Sequence, residues 1–448
     1  MATPATPDAP FGEEYGFYLS GAFGPVPDER VLQDFEVEGT IPADLNGVYL
    51  RNGPNPRFAP AGRYHAFDGD GMIHSAHFAN GKVTYRNRWV QTEGLQEELS
   101  AGQATHRGIM DTRKGRDDNP LKNTANTDVV GHAGHAVVSW YQAGIPYLLD
   151  PVTLETRGQA PYKGLGNGMS AHSKVDPETD EMMFFDYWSE SPYMSYGVVG
   201  ADGQLCHEVP IQLPGSRMPH DMAISKHYSI LHDLPLVHCP EALRHGRHKI
   251  KFDPSLPTRL GVIPRYGKAD EVRWFDFSPC FIYHTINAWE EGDELVMVGC
   301  RYMPCEGPDG RIDAETTAAD IAQLRMHARL WIWRMNLVTG ATHESVLNAE
   351  HNVEFPSMNL AFQGQRNRWA YLVDHNPDVL HWIGIRKFDL DTGACVGAFS
   401  DDPVNAWYSE PWFAPRVGSV EEDDGYLVVF CINVATGRSE LQIFDARA

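Results

Sequence analysis

A chain of 448 residues, 42% of them apolar and 22% charged, has the composition of an ordinary globular protein with a large core. Its net charge of −23 argues against a nucleic-acid partner, which needs a basic surface, and disfavours electrostatic docking on anionic lipid. Seven cysteines with no CxxC pair read as reduced thiols, so a reducing compartment, the cytoplasm, is expected.

Residues 1–34 open with a Pro/Ala/Thr-rich stretch in which no basic region precedes an apolar core. They are expected to form a flexible leader and N-terminal extension rather than a secretory signal. Nowhere do eighteen apolar residues run together, so no membrane-spanning helix is expected, while peripheral contact with a membrane face stays compatible with the chain. From there β-rich runs meet at turns of Asp, Gly, Thr and Asn, at 77–89, 147–158, 173–185, 198–209, 333–345 and 387–399. Each reads as a hairpin. Their wide, irregular spacing suits propeller blades with loop insertions better than a compact sandwich, so residues 35–448 are expected to form a single all-β domain. Residues 232–268, rich in Pro, His and basic side chains, read as a long solvated loop, with a lid or membrane-facing patch as the alternative. At 311–335 early acidic residues and good helix formers predict a short helix before the strand LWIWRM.

Three histidines sit where a polar turn gives way to an apolar strand: His172, His220 and His284. They share no local spacing, so any site they build is assembled by the fold. Neutral imidazoles from separate strands can hold a redox-active metal without adding charge, although a structural role is the default for a histidine taken alone. His74 and His77 on one strand, and His132 and His135 in GHAGHA, keep that structural reading. The GxG of DGDGM is a tight turn, since no phosphate-binding helix follows.

The ordered blocks GVYLRNGPNPRF (47–58), YHAFDGDGMIHSAHF (64–78), NTANTDVV (123–130), AGIPYLLDPVTLETRG (143–158), the three histidine segments, EFPSMN (354–359) and SEPWFAPR (409–416) resemble the carotenoid cleavage oxygenase family. That resemblance, running from about residue 35 to the last residue, implies a seven-bladed β-propeller holding Fe(2+) on four histidines. It implies cleavage of a carbon–carbon double bond of a carotenoid, apocarotenoid or stilbene by O2 to give two carbonyl products. His172, His220 and His284 match three of the ligands. Glu354 and Glu410 match two of three glutamates that orient the imidazoles; Gln142 stands at the third position, where a neutral amide can still accept a hydrogen bond. The fourth histidine would follow ELQIFDARA (440–448), so the last blade is expected to be incomplete. Tyr141 occupies the position at which the phenol-cleaving branch carries a lysine, and it is expected to line the substrate site. Its neutral side chain favours an apolar polyene over a phenolate. The alternatives are a stilbene- or phenylpropanoid-cleaving dioxygenase and a catalytically silent propeller that binds apolar ligands. A zinc hydrolase lacks the carboxylate ligand and general base it would need. Nothing in the pattern specifies an oligomer.

Overall fold

The computed structural model describes residues 17–111, 119–142, 144–162, 168–245, 248–376, 381–400, 402 and 404–448. Seven four-stranded antiparallel sheets follow one another in chain order, the content of a seven-bladed β-propeller. Two compact units carry them: one comprises Met1–Ala171, Pro240–Lys249 and Val434–Gly437, the other His172–Cys239, Ile250–Asn433 and Arg438–Ala448.

The first unit holds two sheets. The first is built from Val31–Leu32, Gly47–Pro54, Gly71–Ala79 and Lys82–Trp89. Its tightest turn is Asn80-Gly81, where both residues have positive φ (53° and 71°), the backbone that a right-twisted two-residue hairpin requires. Part of the expected leader is docked rather than loose. Val31 and Leu32 pair with Arg86 and Tyr85, and Asn55 both accepts from the Val26 amide and donates to its carbonyl. The second sheet runs Asp128–His132, His135–Ser139, Tyr147–Leu149 and Thr156–Gln159. His132 and His135 face each other across its first turn, as expected of a turn pair. Ile73, Val90, Val138, Tyr147, Leu149 and Leu154 belong to one core cluster of this unit, and Met72, Trp89 and Leu95 form another.

The second unit holds the other five sheets. The third opens with Lys174–Val175, the fourth with Ala223–Ile224, the fifth with Phe281–Glu291, the sixth with Val353–Ser357 and the seventh with Ala406–Tyr408. The opening strands of the fourth, fifth and sixth sheets lie beside one another. Nine consecutive residues of the fifth sheet's opening strand, Phe281 to Trp289, are buried, whereas in its last strand, Thr342–Asn348, Asn348 alone is buried. A strand covered on both faces reads as a continuous apolar run, which is why alternation is absent from FIYHTINAW. Between the fifth and sixth sheets pack Ile286, Val298, Leu330, Val353, Leu372 and Phe388, each contributing about 1.5–3 kcal/mol by leaving water. In the seventh sheet, Ala406–Tyr408 and Trp412–Pro415 share one edge of Gly425–Asn433, and Arg438–Asp445 takes the other. That sheet is four strands in number and three in width.

Residues 232–268 are not a solvated loop. Leu236–His238 pairs with Ile250–Phe252, Thr258–Pro264 is a full sheet strand, and Leu234, Leu236, Phe252 and Leu260 are buried. The short helix expected in 311–335 is Ala314–Ala322, capped by Asp313, whose Oδ1 accepts from the Glu315 and Thr316 amides. A second helix, Glu93–Ala101, was not expected; Thr92 caps it and Gly102 ends it in the left-handed region (φ 68°).

One buried acid makes the core pH-sensitive. Asp186, on Met182–Tyr187, is fully buried, accepts from the Tyr187 amide at 2.9 Å, and its Oδ2 has no partner among the described residues. Burial first, then the charge of Glu208, pushes its pKa up to about 7 against the pull of the Tyr187 amide. The folded chain therefore holds this proton more tightly than the unfolded chain does. That contribution to stability is complete below the unfolded carboxylate range near pH 4 and is lost as pH rises through 7. Asp186→Asn is expected to be the more stable protein at pH 8.5, by on the order of 2–4 kcal/mol, and the two should converge at pH 4, read by chemical denaturation across that range.

Candidate metal centre

Each of the three histidines stands at the opening strand of a different sheet. His172 lies two residues before Lys174–Val175, His220 three before Ala223–Ile224, and His284 within Phe281–Glu291. His172 adopts φ 67°, a left-handed backbone uncommon for a residue with a Cβ and one that histidine tolerates better than most. The register of the Phe281–Glu291 ladder breaks on both sides of Thr285, so His284 sits at a bulge. Bulges re-aim side chains, and this one is packed closely. A Cβ added at Gly299, opposite Thr285, would lie 3.0 Å from the His284 carbonyl oxygen.

The rings converge. His172 and His220 place their Nε2 atoms 3.2 Å apart, ring centroids are separated by 4.8, 4.8 and 5.1 Å, and the three candidate ligand atoms all lie within 4.8 Å of one another. Two nitrogens bound to one ion at about 2.0–2.1 Å stand roughly 3.0–3.4 Å apart, so the closest pair already has the spacing of a shared ion. Among the described residues this trio is the only group of His, Cys, Asp and Glu side chains close enough to hold a metal.

Glu354 orients the third ring. It lies in Val353–Ser357, is fully buried, and its Oε2 accepts from His284 Nδ1 at 2.6 Å and from the Phe355 amide at 2.7 Å. With Nδ1 committed, Nε2 is the nitrogen left for an ion. Phe355 has φ 49°, and its ring packs 4.7 Å from that of His284. Burial opposes protonation of His284, but the charge and hydrogen bond of Glu354 outweigh it and raise the pKa, with the charges of Asp221 and Glu410 adding to the rise. On the remaining two, burial acts in the same direction and prevails. It lowers His220 to about 3 and, with the neighbouring histidines, holds His172 well below its ordinary value. Two neutral imidazoles and one paired with a carboxylate form a donor set suited to a divalent transition metal.

Glu410, between Ala406–Tyr408 and Trp412–Pro415, is exposed and acts on His284 through its charge. Gln142 and Tyr141 belong to the first unit. There Gln142 Nε2 donates to Tyr141 Oη, and Lys249 Nζ donates to Gln142 Oε1 at 2.9 Å, so the amide oxygen expected to accept from an imidazole already accepts from an ammonium. Tyr141 is buried with its ring 4.8 Å from that of Phe67. Lysine is thus absent from position 141, but a lysine amine from far along the chain contacts its neighbour.

Three residues of this region carried no signal in the sequence. Asp221, beside His220, is buried; its Oδ1 meets Lys174 Nζ at 2.6 Å and its Oδ2 accepts from Thr285 N and Oγ1 at 2.7 and 2.8 Å. Adjacency to the three histidines was the available clue: Lys174 follows His172 by two positions, and Asp221 and Thr285 each follow a histidine directly.

Residues 23–448 match the family model described as retinal pigment epithelial membrane protein. The chain is 37% identical to the carotenoid 9,10(9′,10′)-cleavage dioxygenase of Crocus sativus over 96% of its own length and 84% of that protein's. Among solved structures it is similar to the lignostilbene dioxygenase of Pseudomonas brassicacearum, with a TM-score of 0.83 at 29% identity, over 96% of this chain and 93% of that one. It is also similar to a variant of the Synechocystis apocarotenoid oxygenase, with a TM-score of 0.81 at 27% identity, covering 95% and 92%.

Replacing any one of His172, His220 and His284 by Ala is expected to abolish stoichiometric metal retention. Glu354→Gln keeps the size and removes the charge, and should weaken retention by about 10–100-fold, measured as metal content after graded chelator competition.

Proposed function

The chain belongs to the carotenoid cleavage oxygenase family, and from that membership we propose that it is a non-haem iron dioxygenase. In this reading it cleaves a carbon–carbon double bond of a carotenoid or apocarotenoid with O2 to give two carbonyl products. The observation that carries the reading is the convergence of His172, His220 and His284 from three sheets, one ring fixed by the buried Glu354. Fe(2+) held there would supply the one-electron chemistry by which O2 reacts with a closed-shell alkene.

The protein's part is to place its donors and to accept a hydrocarbon. Glu354 fixes the tautomer of His284, and burial keeps His172 and His220 unprotonated, with lone pairs available at neutral pH. Aromatic surface adjoins the imidazoles: Phe355 against His284 at 4.7 Å, Trp382 against Phe355 at 4.4 Å and Tyr283 against His220 at 5.3 Å. Rings of this kind suit an apolar polyene and keep water from the reacting bond. None of the seven cysteines is placed in a disulfide, which fits the cytoplasmic location we propose; among the described residues no helix is long and apolar enough to cross a membrane.

A second reading, cleavage of a hydroxylated stilbene, is favoured by one observation. Lys249 brings an ammonium to Gln142 beside Tyr141, a cation suited to a phenolate. Burial lowers its pKa to about 8, partly offset by the charge of Asp68, so it remains largely protonated at neutral pH.

Iron-loaded protein given an apocarotenoid under isotopically labelled O2 is expected to release a shorter aldehyde carrying the label, with no turnover by His284→Ala. Lys249→Met separates the two readings. It should leave apocarotenoid turnover unchanged, whereas a selective loss on 4-hydroxystilbene, together with no turnover of apocarotenoids, would establish the phenolic reading.

A further inference from the structure

We infer that Asp221 is a positioning residue for the metal centre: one carboxylate ties together the three chain segments that carry His172, His220 and His284. The inference rests on the reading of those histidines as metal ligands and extends it to a residue that touches none of the reacting groups.

The geometry is specific. Asp221 Oδ1 takes Lys174 Nζ at 2.6 Å and the Met222 amide at 2.7 Å; Oδ2 takes the Thr285 amide at 2.7 Å and the Thr285 hydroxyl at 2.8 Å. Thr285 Oγ1 also lies 3.0 Å from the Met222 carbonyl oxygen, doubling the link between the second and third segments. Each partner lies within two residues of a candidate ligand. In extended chain, neighbouring side chains point to opposite faces, so a contact made by Asp221 and Thr285 fixes, from behind, the separation of His220 and His284. Lys174 is two positions from His172 and would share its face in a regular strand. The left-handed backbone at His172 breaks that alternation and lets the lysine reach the same carboxylate.

Thr285 lies where the ladder register shifts on both sides, and Asp221 accepts its amide there. Asp221 thereby sets how far His284 projects. The Asp221 side chain is only 1% exposed, and four donors meet it, so its position is over-determined. Metal affinity then depends on a group outside the ligand set, because three imidazoles held at fixed spacing need not reorganise when an ion enters.

The test compares wild type, Asp221→Asn, Asp221→Asn with Lys174→Met, and Thr285→Val. The readouts are Co2+ affinity by chelator competition, the visible spectrum of bound Co2+, and the melting temperature of the metal-free protein. Asp221→Asn is expected to bind Co2+ about 10–100-fold more weakly with an altered spectrum, and Thr285→Val to show a smaller change in the same direction. Lys174→Met removes the stranded amine, so the double variant should recover melting temperature without recovering affinity or spectrum. A double variant with wild-type affinity and spectrum would overturn the inference, as would affinity losses that merely track melting temperature across the set. Failure of the wild type itself to bind Co2+ would instead remove the metal reading, and the inference with it.

Discussion

The three histidines and the two glutamates placed with them come from within or beside the opening strands of five different sheets, and most other features of the site answer to that constraint. His172, His220, His284, Glu354 and Glu410 belong to the third, fourth, fifth, sixth and seventh sheets in turn. No two of them are neighbours in the chain, so their relative positions depend on sheet packing and on contacts between the opening strands. Regular strands with both faces buried offer only two side-chain directions. The fold departs from regularity where a third is needed: a left-handed residue at His172, register breaks around Thr285 and after Glu354, and a left-handed Phe355.

Electrostatics within the cluster follows from the same crowding. Three imidazoles within 4.8 Å cannot all be cationic in a buried place, and two are kept neutral by burial and by one another. The third is paired with Glu354, whose other oxygen, Oε1, is buried with no partner among the described residues. Glu354 thus sets one negative charge beside the imidazoles, and Glu410 acts on His284 in the same sense from an exposed position. Gln142, in the first unit, brings no charge, and its oxygen serves Lys249.

Much of this was legible in the sequence because it was written locally. Turns announce themselves within four residues, as Asn80-Gly81 does, and all six expected hairpins are present; Asp313 likewise marks its helix. The helix Glu93–Ala101 was missed because its apolar stripe is thin. Leu95 is its one buried hydrophobic residue, and Gly94 and Ser100 weaken its propensity. Residues 232–268 misled through composition, since three-residue strands that pair with each other need little apolar periodicity. The histidines were findable because imidazole at a strand start is rare enough to notice. Asp221 and Thr285 were not, since an aspartate and a threonine near turns are commonplace and their contact spans 64 positions. Lys249 is farther still from Gln142, at 107 positions, and no short-range pattern connects them.

Irregular backbone has consequences for how the site can vary. A non-glycine residue held in the left-handed region costs on the order of 1–3 kcal/mol, and His172 and Phe355 both sit there. Hydrogen bonds to a buried carboxylate are worth about 1.5–3 kcal/mol each, so the bonds to Asp221 and Glu354 are of the size needed to hold such conformations. The supporting carboxylates and the strained positions thus form one unit, in which relief of strain at either end releases the ring it positions. Substitutions that spare the imidazoles but loosen this scaffold act first on the spacing of the donors. The geometry of the donor set is in that sense distributed over residues outside the histidine trio, and the fold preserves it only by preserving its irregularities.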